Sequence, residues 1–120
     1  MPVAGPIFHI VAPRDWPASG EYRPRSLHEQ GFVHFSYADQ VEGPANRLYR
    51  DEPELIVVEV DPQLLGCEVR AEDSYGEGTA YPHAYGPVPV SAAVAIHRLD
   101  RDNAGRWRFS PGSAGATPGR

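Results

Sequence analysis

The chain has 120 residues, 41% of them hydrophobic and 22% charged, enough apolar side chain for one compact core and not for two. A formal net charge of −5 argues against binding a nucleic-acid backbone, and no stretch approaches the ~20 apolar residues of a membrane span. All eleven basic residues are arginine, which removes lysine-based Schiff-base and phosphate-loop chemistry, and the single cysteine, Cys67, excludes an internal disulfide and a CxxC motif.

Ile7–Val11 reads as a short strand interrupted by His9, and Pro13 to Trp16 as a turn or a single helical turn. Ser26 is placed to cap a short helix through Glu29 that Gly31 closes. Gly31–Ser36 reads as a second strand, and Ser36 as the cap of a helix over roughly 37–50 that Gly43-Pro44 should kink. Leu55–Val60 is the strongest strand signal and is expected at the centre of the sheet, with Cys67–Ala71 as a partner strand. The polar, glycine-rich stretch from Asp73 to Tyr85 reads as loop, Ala92–Leu99 as a late strand and Trp107–Phe109 as a short one. The prediction is a single α+β domain over 1–109, with a bent mixed or antiparallel sheet of short strands and two or three short helices. Residues 110–120 have the composition of a flexible tail.

Five histidines carry most of the candidate chemistry. His28 lies among polar helix neighbours and His97 beside Arg98, so both are expected at the surface. His9 and His34 each interrupt an apolar strand, a pattern that fits a hydrogen-bonded core histidine as well as a ligand contact. His34 and Ser36 are two apart on a strand and share a face, but their ~7 Å spacing is too long for a direct Ser–His catalytic pair. His83 sits between Tyr81 and Tyr85 in a proline-bounded segment, and Glu72 upstream is within reach of it. A carboxylate beside an imidazole fixes its tautomer, as a general acid or base requires. Arg23/Arg25 and Arg47/Arg50 could clamp a carboxylate or phosphate. His9, His34 and His83 lack the spacing of a metal motif, so no metal is expected, and Cys67 reads as structural.

Phe8-His9-Ile10, Gly20-Glu21-Tyr22, Gly31-Phe32-Val33-His34-Phe35-Ser36, Ala45-Asn46 and Pro82-His83-Ala84-Tyr85-Gly86-Pro87 together resemble the domain of unknown function 952 family, over about residues 7–99. Ala71 stands where that pattern usually has tryptophan. More distantly, His9 and Gly31–Ser36 are similar to two elements of the ADP-ribosyltransferase-like fold, while a late glutamate has no clean counterpart. The resemblance implies that fold, with NAD as a possible substrate or cofactor.

The expectation is a cytoplasmic small-molecule enzyme in which His83, Glu72 and His34 are catalytic. His9, Ser36, Gln40, Tyr22, Tyr85 and Arg47 are expected to hold the ligand. The alternatives are a non-catalytic binding or accessory domain, and a metal-dependent lyase or hydrolase built on His9, His34 and His83.

Overall fold

The computed structural model describes residues 3–110; the remainder of the expected C-terminal tail lies outside them. The chain is a small α+β domain of short strands, two short helices and several single 3-10 turns. In chain order the strands are β1 (Ile7–Val11), β2 (Glu21–Tyr22), β3 (Val33–His34), β4 (Ile56–Val60), β5 (Val69–Glu72), β6 (Tyr81–Ala84), β7 (Val88–Pro89), β8 (Ala93–Arg98), β9 (Asp100–Arg101) and β10 (Trp107–Arg108). The helices are α1 (Arg25–Gln30) and α2 (Glu42–Leu48).

Every strand pairing among the described residues is antiparallel, which corrects the mixed alternative. One sheet has the order β1-β4-β8, with the LIVVEV strand at its centre; a second has the order β3-β6-β5. The amide N–H groups of Phe8 and Ser36 each donate to the other's carbonyl, at 2.8 and 2.7 Å, and link the two sheets at their edges.

The alternation of β1 and β4 sends side chains into two separate cores, which is why both strands are apolar almost throughout. Ile7, Val11, Val58 and Val60 pack with Val33, Phe35, Ala84 and Val88 of the second sheet and its flank. Phe8, Ile10 and Val57 pack on the other side with Val41 and Ala45 at α2, and with Trp107 and Phe109. Each such aliphatic side chain contributes about 1.5–3 kcal/mol by leaving water. Asn46 fastens the second core, accepting from the Trp107 N–H at 2.7 Å and donating to the Trp107 carbonyl at 3.1 Å.

Several local expectations change. Gly31 closes α1 in the left-handed conformation (φ 88°), but Pro24 precedes the helix and the Ser26 hydroxyl donates instead to the Phe32 carbonyl. Ser36 caps nothing; it lies in the bridge to Phe8, and Tyr37 precedes the next turn. The helical segment divides at Val41 rather than at Gly43-Pro44, because Pro44 falls in the first turn of α2, where a missing N–H removes no helical bond. The Cys67–Ala71 strand begins at Val69 and pairs with β6.

The largest correction is β6, a strand where loop was expected, and the central one of its sheet. Pro82 is tolerated there because its carbonyl accepts from the Phe35 N–H, on the side where β3 has already ended. The N–H and C=O of one residue point to the same neighbour in an antiparallel ladder, so the one bond that proline cannot donate falls opposite Phe35, just past the end of β3 and outside its continuous ladder.

Gly86, just beyond β6, has ordinary negative-φ geometry, but a Cβ there would lie 2.8 Å from Cys67 Cβ and 3.2 Å from its Sγ. Its role is close approach. Gly86→Ala is expected to destabilise the domain by about 1–3 kcal/mol through overpacking, read as a lower urea midpoint with an unchanged slope.

Candidate functional site

The pairing of β3, β6 and β5 places His34 directly opposite His83, and His83 opposite Arg70. Opposed residues share a face, so the two imidazoles meet, with ring centroids 5.3 Å apart. Tyr81 and Tyr85 flank His83 at i±2 on that face, and Glu72 lies opposite Tyr81. Phe32, just before β3, stacks on His83 with centroids 4.0 Å apart and planes 12° from parallel.

His83 is only 2% exposed. It is therefore held inside a strand and not presented by a turn, as its proline-rich setting suggested. Its Nδ1–H donates to Glu72 Oε1 at 2.8 Å, and the Tyr85 hydroxyl donates to the same oxygen. Both bonds hold the Glu72 carboxyl below the usual carboxylate range, and the bond to Glu72 raises the Tyr85 phenol above its own. The Nε2 of His83 has no bonding partner among the described residues, yet none of their buried side-chain nitrogens or oxygens is orphaned. Nε2 therefore opens onto the cavity of about 360 Å³ that His83 lines.

The same cavity is lined by His9, His34, Ser36, Tyr22 and Arg47 of the expected set. His34 donates Nε2–H to Gln30 Oε1 at 2.7 Å, leaving Nδ1 as the acceptor. Burial, and secondarily the neighbouring His83, lower its pKa. Ser36 is a buried residue whose hydroxyl has no partner among the described residues, and since none of their buried polar atoms is orphaned, that hydroxyl meets the cavity which Ser36 lines. Arg47 is exposed at the rim with no ion-pair partner among them.

His9 is different in kind. Nδ1–H donates to the His34 carbonyl at 2.6 Å, and Nε2 accepts from the Tyr22 hydroxyl at 2.7 Å. Burial pushes its pKa down to about 4, so the ring is neutral and both nitrogens are engaged within the protein. It braces the cavity wall and lines it with no free ring nitrogen to offer a ligand. This also removes the three-histidine metal set: among the described residues no group of three His, Cys, Asp or Glu side chains is placed to hold a metal.

Gln40 does not reach the cavity. Its amide accepts from the Tyr37 N–H at 2.9 Å and donates to the Ala80 carbonyl at 2.8 Å, which fastens the chain entering β6. Glu72 and Tyr85 stand behind His83 and touch the cavity only through it. Tyr49, Tyr81 and Asp15 line the cavity and were not expected there, and Arg25, one of the arginines read as a candidate anion clamp, lines it as well. Tyr81 was recoverable from strand alternation with His83; Tyr49 and Asp15 reach it from helix ends, where spacing carries no signal. His97, expected at the surface, is buried on the far side of the first sheet, with Nε2 2.8 Å from Glu59 Oε1.

The geometry defines a small domain with a histidine-lined cavity, and the family model described as "Protein of unknown function (DUF952)" matches residues 10–96. The chain belongs to that family. It is similar to protein CC0527 from Caulobacter crescentus: the crystal structure is 27% identical with a TM-score of 0.76, covering 91% of this chain and 96% of that one. The solution structure of CC0527 is 28% identical with a TM-score of 0.71, covering 84% and 90%. Among curated proteins none matches this chain. No helix among the described residues is long and apolar enough to cross a membrane.

Proposed function

We propose that this domain is a small cytoplasmic enzyme that carries out histidine-centred acid–base chemistry on a small molecule bound in the cavity. One observation carries the reading: His83 is pinned at Nδ1 by Glu72 while its Nε2 lone pair opens onto the cavity. In that tautomer Nε2 takes a proton from the substrate, and the Glu72 carboxylate offsets the charge that forms on the ring. Phe32, stacked on the other face, fixes the ring plane. His34, whose free Nδ1 is an acceptor, is the second proton-handling group; Ser36 and the Tyr22 hydroxyl oxygen orient the ligand.

NAD, the substrate that the more distant fold resemblance implies, carries two nucleoside units and a diphosphate, more than a cavity of about 360 Å³ encloses, so it serves as the comparison and smaller compounds as the lead candidates. Other nucleotide-like or pathway-intermediate substrates use the same groups, and a net charge of −5 favours small ligands over nucleic acid. The test is incubation of the full chain with NAD, mononucleotides and small carbonyl and glycosidic compounds, followed by mass-spectrometric product detection. Turnover lost in His83→Ala supports the reading. Saturable binding without turnover of any compound supports instead a non-catalytic binding domain.

A further inference from the structure

We infer that the cavity takes a single-ring molecule carrying one oxyanion, a carboxylate or a phosphate, seated against the Arg47 guanidinium. This rests on the cavity being the substrate site and adds the class of substrate. Arg14, outside the cavity lining, is held by Glu52 through two bonds of 3.1 and 3.2 Å, and Arg25 lies 3.7 Å from Glu29. Arg47, at the rim, has no carboxylate partner among the described residues, so its planar fork is free to bind an oxyanion through two parallel bonds. Aromatic wall is supplied by Tyr22, Tyr49 and Tyr81, which suits a flat ring.

Two features limit the ligand to one ring and one anion. A volume of about 360 Å³ lies at the small end of ligand cavities, room for one ring with its substituents. Asp15 stands on the same lining, and Glu52 there is already paired with Arg14. Beside Arg47, which has no carboxylate partner among the described residues, a polyphosphate would therefore meet a further carboxylate and no second arginine without a carboxylate partner among the described lining residues. The neutral His9 adds no positive charge to the wall.

Matched probes test this by amide NMR titration of the full chain: benzoate against benzamide, phenyl phosphate against phenol, and adenosine diphosphate as the polyanion. The expected result is that one anionic single-ring probe shifts cavity amides and binds about tenfold or more tightly than its neutral partner. Arg47→Gln should erase that difference, Arg47→Lys should retain part of it, and the diphosphate should bind more weakly than the monoanion. Three results would overturn the inference: Arg47→Gln binding the anion as tightly as the native chain, neutral probes binding equally well, or no anionic probe binding. Preference for carboxylate or for phosphate identifies the source of the oxyanion. Arg47-dependent binding in a chain that turns nothing over leaves this inference standing while the enzymatic reading falls; turnover unaffected by Arg47→Gln does the reverse.

Discussion

His83→Ala is expected to lower turnover by about 10²–10⁴, the usual contribution of a positioned acid or base. The same variant also opens a cavity against Phe32 and leaves Glu72 with Tyr85 as its remaining bonded partner, so some loss of stability accompanies it. Glu72→Gln separates the two effects. It keeps the volume and keeps an acceptor for Nδ1–H, but removes the negative charge that offsets the imidazolium. Its thermal midpoint should stay near that of the native chain while turnover falls and the acid limb of the pH–rate profile moves. A Glu72→Gln variant with native turnover and an unmoved profile would reduce Glu72 to packing.

The second large effect is on stability against pH, through His9. The usual imidazole value is 6.5, and burial pushes His9 in the fold down to about 4. Above pH 6.5 neither state holds the proton. Between about 6.5 and 4 the unfolded chain binds it and the folded chain does not, so stability falls as pH falls through that window and levels off below it. The total is on the order of 3 kcal/mol. Urea unfolding at pH 7, 6, 5 and 4.5 should show this decline in the native chain. His9→Leu should be less stable at pH 7, since the Tyr22 hydroxyl and the His34 carbonyl lose their partner, and should decline less steeply. Parallel declines for the two chains would show that His9 does not titrate as its burial requires.

The sequence made the first sheet legible because β4 and β1 are continuous apolar runs, and it made α1 legible because Gly31 ends it in a conformation other residues resist. The strand that carries the site was hidden. Pro82, between glycine-rich flanks, reads as loop, and only the early end of β3 explains why a central strand accepts it. His97 was legible and misjudged: Arg98 pointing outward puts its neighbour inward on a strand. The Glu72–His83 contact was anticipated from chemistry, but the reason for it is register, since Glu72 opposite Tyr81 sits two residues along the ladder from His83, the next pair on the same face. Of the expected ligand residues, Gln40 is bonded to Tyr37 and Ala80 away from the cavity, and His9 lines the cavity with both ring nitrogens bonded within the protein; partners distant in sequence leave no local pattern for such contacts. Arg47, expected among the ligand residues, reaches the cavity rim because α2 packs against the first sheet.

The most direct measurement is a crystal structure of the full chain grown with a compound that it turns over or with the tightest-binding probe. The expected result is ligand in the cavity with one of its polar atoms within about 3.2 Å of His83 Nε2, while Nδ1 remains on Glu72. A ligand bound away from this cavity, such as in the groove beside β5, or an Nε2 turned into the protein with the cavity empty, would contradict the account.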